Sequence, residues 1–340
     1  MHAQPAVQRE PPRAEETLDI TFETDALTTL AQLFGRHGDA YRAFSPALER
    51  NLWVLSHPDH VRHVLVDHHA NFTKGVGIER VAILLGNGLM TSEGDQWRMQ
   101  RKMILADVER RRRDGIRRDD ILSLLIDARD RGSGEPMPDR QLLDEIMTII
   151  IAGHETTASS LNWFWYLLTQ APEVAARIHA EVDAASAEPP AYDQLEHFPY
   201  VRRALDETLR LYPPGWLLTR RSIGAMSIGE YLLPPRTDVL ISPYLIQRHP
   251  AYWPDPNAFD PDRFLPERGA ARNRFVYLPF GLGPRACIGE HLALIEMHAH
   301  AIMLARRFAL TLAPGQTVEI EPQVNLRTRQ PVHMHVRKRR

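Results

Sequence analysis

The chain contains one cysteine, Cys287, set in Phe280-Gly281-Leu282-Gly283-Pro284-Arg285-Ala286-Cys287-Ile288-Gly289. A lone cysteine in an intracellular protein usually packs as a small, inert hydrophobe. The neighbours of Cys287 point to chemistry instead. Gly281, Gly283 and Gly289 permit close backbone approach and positive φ. A helix is predicted to open at Cys287 and run to about Phe308, which puts the sulfur near a positive dipole end that favours thiolate. Arg285 lies two residues earlier and can neutralise a carboxylate. A thiolate on bare backbone beside a guanidinium suits a flat anionic macrocycle resting against the loop.

Other residues join it. Ala152-Gly153-His154-Glu155-Thr156-Thr157 falls within a predicted long helix. Glycine weakens a helix interior by about 1 kcal/mol relative to alanine, and a buried carboxylate needs a partner. Two readings stay open at this level. Thr156 bonds back to a carbonyl one turn earlier with Glu155 at a wet edge, or the group is functional. Glu207 and Arg210, at i and i+3, share a helix face and are followed by Arg263 in Pro261-Asp262-Arg263-Phe264. Trp97 and Arg101 are spaced at i and i+4, and Arg220 closes Leu217-Leu218-Thr219-Arg220.

Taken in chain order, these segments resemble the cytochrome P-450 family. The Phe, both loop glycines, the Arg, the Cys and the final Gly of the cysteine loop all match its pattern. The resemblance implies a mainly α fold with a small β-rich lobe and haem b held by Cys287, a thiolate ligand known for this family. It implies that Phe280 and Arg285 flank the cofactor, and that Trp97, Arg101 and Arg220 grip its propionates. It gives Thr156 a hydrogen bond to bound oxygen and Glu155 a part in proton relay. Glu207, Arg210 and Arg263 become a structural triad behind the cysteine loop. The implied reaction is monooxygenation of a lipophilic small molecule, with electrons from a ferredoxin or flavodoxin-type donor and its NAD(P)H reductase. Arg98, Lys102 and Arg285 are candidates for the docking face of that donor. Leu211 to Arg220 looks most like bacterial members acting on terpenes and related natural products.

The elements that must position these residues are mostly helical. Residues 1–24 are rich in proline and charge and are expected to form a loose arm. A short helix is predicted over Ala26–Gly38, a strand over Asn51–Leu55, and a helix from near Ser56 with Pro58 in its first turn. Ser92 and Asp95 resemble a capping box. The arginine run Arg110–Arg113 reads as a solvated helix face. Asp139 is the expected N-cap of a long helix reaching about Gln170, on the order of 45 Å. Its centre is nearly all apolar, so it should be buried on every side. Helices are predicted over Glu173–Ala185 and Tyr200–Tyr212, strands and turns over Leu217–Ser242, and an alternating strand over Val332–Val336.

The 340 residues carry a formal net charge of -2 and 44% hydrophobic positions, enough for a large core and no basis for nucleic-acid binding. One cysteine gives no internal disulfide. The first thirty residues show neither a signal-peptide core nor a membrane span, so a cytoplasmic location is expected. His57, His60 and His63, and His298 with His300, are read as surface histidines without the acidic or cysteine partners of a zinc site.

One departure from the family stands out. Only about fifteen residues separate Met103 from Asp119, where members carry several helices including the roof of the substrate pocket. An internal deletion with its junction near Met103 to Leu105 is expected, within a single shortened domain over 25–340. Water would then reach the iron. A haem-binding but impaired protein, a peroxide-driven peroxygenase, and a helical scaffold with a merely buried cysteine are the rival readings.

Overall fold

The computed structural model describes residues 9–20, 25–76, 110–111, 113–116, 118–129, 132–185, 191–270 and 272–339. The predicted capping box at Ser92 and the junction near Met103 lie outside them. The chain forms two compact units, Met1–Gly77 with Thr156–Arg340, and Ile78–Glu155.

The first unit holds a six-stranded sheet in the order β1-β2-β3-β8-β5-β4. Its strands are β1 (Arg13–Thr17), β2 (Ala40–Ser45), β3 (Arg50–Leu55), β4 (Phe72–Lys74), β5 (Leu218–Ser222) and β8 (Asp238–Ile241). Leu52 to Leu55 and Val239 to Ile241 are apolar at every position and buried on both faces. They pair in parallel at the centre of the sheet, Leu52 opposite Asp238 and Val54 opposite Leu240, as continuous apolar runs should. β1 corrects the expectation of a loose arm, because Arg13–Thr17 pairs with β2 and Ala14 and Leu18 are buried. Its charged residues face outward, as befits an edge strand, and this composition hides the two apolar anchors. Three two-stranded sheets complete the β structure among the described residues: β6 (Met226–Ile228) with β7 (Tyr231–Leu233), β9 (Phe308–Leu312) with β12 (Met334–Lys338), and β10 (Ile320–Pro322) with β11 (Leu326–Thr328).

Among the described residues, the longer α-helices are α1 (Ala26–His37), α2 (Pro58–Arg62), α3 (Ile121–Asp127), α4 (Asp139–Gln170), α5 (Pro172–Ala184), α6 (Pro199–Leu211) and α7 (Glu290–Arg307). Pro58, Pro172 and Pro199 each sit in a first turn, where the missing N–H costs nothing. The start of α6 is capped from α5: the Tyr200 and Val201 N–H groups both donate to the Glu181 carboxylate at 2.8 Å. The main core joins the end of α4 (Phe164, Trp165, Leu168) to α5, α6 and α7.

Two local expectations are corrected here. α7 begins at Glu290 with Gly289 as its N-cap, so Cys287 precedes the helix and does not open it. The loop closes on itself first, and only then can helical bonding start. The middle of α4 is not buried all round either. Ala152, Gly153 and His154 are exposed, and Ile150 is 49% exposed, whereas Trp163 and Phe164 are fully buried. Apolar composition on every side is a poor guide because only the part around Trp163 to Leu168 is packed from nearly every direction.

The second unit contains α3 and the first half of α4. Asp120 caps α3, accepting from the Ser123 N–H at 2.8 Å. Arg111 meets both Asp120 oxygens at 2.8 Å and is 5% exposed. The arginine run is therefore not a uniformly solvated face: Arg110 and Arg113 are exposed, but Arg111 turns in to satisfy the capping carboxylate. A small apolar cluster centres on Ile126 and Leu142.

Candidate cofactor site

The cysteine loop is closed by its own backbone. The Gly281 N–H donates to Leu278 O, Ala286 to Gly283 O, and Cys287 to Phe280 O at 2.8 Å. Gly281 and Gly283 both have φ of 73°, the left-handed region that favours glycine. A Cβ on Gly283 would lie 2.0 Å from the Leu65 carbonyl oxygen, so the loop rests directly on the backbone that follows α2. Gly289 does not share this reason, since its φ is -88°. A side chain there would approach the Cys287 sulfur at 3.8 Å. The loop turns Cys287 outward to an exposed position, beside Ile288 at 100% exposure. Phe280 is half-buried and packs on the helical core.

Two arginines stand beside this loop. The Arg285 guanidinium donates to Phe72 O at 2.9 Å. Arg220, on β5, donates to its neighbour Thr219 O at 2.9 Å, and β5 is pressed so closely by β4 that a Cβ on Gly75 would lie 2.6 Å from the Arg220 nitrogen. Burial, and then the like charge of Arg285, pull the Arg220 pKa down. Neither guanidinium has a carboxylate partner among the described residues. An outward thiol, an apolar side chain open to solvent and two uncompensated cations form the donor set that a flat, apolar dianion with an iron centre would use. The residues present fit a haem.

Behind the loop, Glu207, Arg210 and Arg263 are in mutual contact. Glu207 and Arg210 are 0% exposed. Arg210 Nε and Nη2 donate to the Glu207 oxygens at 2.6 and 2.8 Å, a bidentate pair. Arg263 Nε reaches Glu207 Oε1 at 3.2 Å. The other three Arg210 hydrogens go to the Gln247, Pro256 and Ala258 carbonyls, and Arg263 also donates to the Pro254 and Asp255 carbonyls. Arg210 thereby uses all five of its N–H groups, as a fully buried charge requires.

The sequence reading missed the residue that links this group to the loop. Gln247 donates to Leu209 O and Arg210 O at 3.0 and 2.9 Å, and its Oε1 accepts the Leu278 N–H at 2.9 Å. Next to it, the Tyr277 hydroxyl donates to Asp206 O at 3.1 Å. Burial drives both the Asp206 carboxyl and the Tyr277 phenol up. No local motif marks Gln247, because its three partners are distant in sequence.

The other predicted residues are distributed as follows. Trp97 and Arg101, with Arg98 and Lys102, lie outside the described residues. Glu155 and Thr156 are half-buried on α4, Thr156 in the unit that carries Cys287 and Glu155 at the end of the other. Ser160 bonds back to the Thr156 carbonyl at 2.9 Å. A Cβ on Gly153 would meet nothing within 4 Å. The histidines are not all surface groups. His298 is buried against Phe198 O at 3.0 Å, and burial lowers its pKa to about 4. His57, His60 and His63 line a cavity of about 440 Å³ with Asp39, Asp59 and Glu230. Acidic neighbours are thus present after all, Asp59 from between two of these histidines and Asp39 and Glu230 from segments remote in sequence, yet no three such donors among the described residues are grouped to hold a metal. No described helix is long and apolar enough to cross a membrane.

Comparison with known proteins agrees with this geometry. Residues 106–335 match the family model described as cytochrome P-450. Cyclooctatin synthase of Streptomyces melanosporofaciens is 43% identical over 64% of this chain and 47% of its own length. Pentalenene oxygenase of Streptomyces avermitilis is 36% identical over 61% of this chain and 46% of its own length. The chain thus spans about half the length of the curated relatives it matches. The crystal structure of the cytochrome P450DA heme domain superposes with a TM-score of 0.84 at 20% identity, covering 98% of both chains. A matched region of this extent settles the affiliation: the chain is a member of the cytochrome P-450 family.

Proposed function

We propose that this protein is a haem-thiolate monooxygenase that inserts one atom of dioxygen into a lipophilic small molecule of terpene-like character. The observation that carries the reading is the cysteine loop, which turns the only thiol of the chain outward beside two arginines that have no acid partner among the described residues. Cys287 is the iron ligand. Arg220 and Arg285 neutralise the propionates, joined by Trp97 and Arg101, and Phe280 packs beside the loop. Haem b, when bound, supplies dioxygen activation, with thiolate electron density favouring O–O cleavage.

The chain's own residues hold the rest. Glu207, Arg210 and Arg263 fix the segment behind the loop, so that the sulfur keeps its place when the cofactor loads. Thr156 offers a hydroxyl to the oxygen side, and Glu155 moves protons toward it. Gly153, where a side chain would meet no protein atom, leaves room along α4. Electrons come from a ferredoxin or flavodoxin-type donor with its NAD(P)H reductase, docking on Arg98, Lys102 and Arg285. Reduction should then slow as ionic strength rises. A cytoplasmic location is part of this proposal.

The test is incubation of the haem-loaded protein with a reductase–ferredoxin pair and a panel of cyclic terpene hydrocarbons and alcohols. Products heavier by one oxygen atom, labelled from ¹⁸O₂, support the reading. Label drawn from peroxide alone contradicts it in favour of a peroxygenase. A second reading, haem binding with impaired turnover, is favoured by the exposed Ala152–His154 stretch of α4. It predicts reductant consumption that ends in peroxide, because water reaches the site.

A further inference from the structure

The carbonyl of Leu326 is a junction between three distant segments. It accepts from Ser159 Oγ at 2.7 Å and from Trp163 Nε1 at 2.9 Å, which uses both lone pairs. The Leu326 N–H donates to Pro214 O at 3.0 Å. Two residues beyond, Trp216 Nε1 donates to Gln323 O at 2.9 Å. Asn162 on α4 adds a bond to Thr328 Oγ1 at 3.0 Å. The Trp163 ring stacks on Tyr212 with centroids 4.0 Å apart and planes 5° from parallel. Ser159, Trp163 and Leu326 are all buried, so the two bonds to the Leu326 carbonyl are shielded from water.

The spacing gives this junction its meaning. Thr156, Ser159 and Trp163 stand at i, i+3 and i+7, one face of α4. The β10–β11 hairpin is therefore bonded, through Leu326 at the start of β11, to the stripe on which Thr156 lies. Pro214 and Trp216, held by the same turn, lead directly into β5 and Arg220. Rotation of α4 about its axis, or sliding of the turn, would break two buried bonds to one carbonyl.

We propose that Ser159 and Trp163 are positioning residues that act through Leu326 to fix the rotational setting of α4 at Thr156, and so the surface presented to ligands of the haem iron. The proposal rests on haem binding at Cys287. It gives two side chains outside the family motifs a defined part in ligand selection.

The test uses haem-loaded wild type, Trp163→Phe, and Ser159→Ala/Trp163→Phe, each titrated with imidazole and with 4-phenylimidazole and read by the Soret shift. Imidazole is small enough to ignore the stripe, whereas the phenyl ring of the larger azole must pack along it. In the double variant the 4-phenylimidazole Kd should rise about fivefold, the size of one to two lost hydrogen bonds, with the imidazole Kd unchanged. Trp163→Phe keeps the Tyr212 stack and the Ser159 donor, and should fall in between. A melting temperature that drops while the ratio of the two Kd values stays at the wild-type figure overturns the proposal, since that is what a purely structural role produces. If the double variant fails to fold, the single variant decides by the same ratio. A wild-type protein that shows no Soret band removes the haem reading and this proposal together, and is told apart by that missing band.

Discussion

The cysteine side of the molecule and the Gly153–Thr156 stretch of α4 carry the two halves of the proposed chemistry, and they are built in opposite ways. Behind the loop the packing is close: Gly283 meets the Leu65 carbonyl, Gln247 ties Leu278 to Arg210, and the buried Glu207 binds two arginines. Along α4, Gly153 faces open space, and its neighbours Ala152 and His154 are exposed. A ligand atom on a metal must be placed before the cofactor arrives, so its loop is over-determined. The stretch that would meet oxygen and substrate has to leave room, and local packing there is given up.

Substitutions should therefore differ sharply between the two regions. The largest effect is expected for Glu207→Ala, which leaves Arg210 and Arg263 buried without their anion and should cost about 3–5 kcal/mol in denaturant unfolding. Glu155→Ala, in the open region, should stay within about 1 kcal/mol. Equal costs would break the contrast.

A pH profile sharpens it. His298, on the closed side, has its folded pKa lowered to about 4, against about 6.5 in an unfolded chain. The unfolded state then binds the proton first, so stability is complete above about pH 6.5 and is lost as the pH falls toward 4, by up to about 3 kcal/mol. Burial lowers His60 and His63 in the same direction. His298→Gln should flatten part of the slope of unfolding free energy between pH 7 and 4.5; an unchanged slope would assign it to the other histidines.

The two glycines give effects of opposite sign. Gly283→Ala must move the loop off Leu65 and should destabilise by about 2 kcal/mol or more. Gly153→Ala fills open space in a helix interior and should stabilise the haem-free protein by about 1 kcal/mol. Melting curves of the two variants check this directly, and a destabilising Gly153→Ala would show that the stretch is packed.

Much of the cysteine side was legible in the sequence because its residues are constrained by type. Only glycine serves at Gly283, whereas the grouping of Glu207, Arg210 and Arg263 is implied by the family resemblance, their spacing alone being that of a surface ion pair. The bounds of α4, from Asp139 to Gln170, were readable from an acidic residue at its start and Pro172 beyond its end. What stayed hidden depends on partners far along the chain. Gln247, the Leu326 carbonyl and the Gly75–Arg220 approach leave no local pattern. Strand β1 hid behind its charges, and Arg111 behind a run of arginines. Cys287 was placed in a helix that starts three residues later, since closing the loop outranks starting the helix. Apolar content alone predicted burial for the middle of α4, yet it could not say which turns have neighbours.

The central claim is that Cys287 sulfur holds the haem iron, and the carbon monoxide spectrum of the reduced, haem-loaded protein tests it most directly. The wild-type chain should show a Soret band shifted far to the red, and Cys287→Ala should lose or alter that band. A Cys287→Ala protein with the wild-type spectrum would contradict the account.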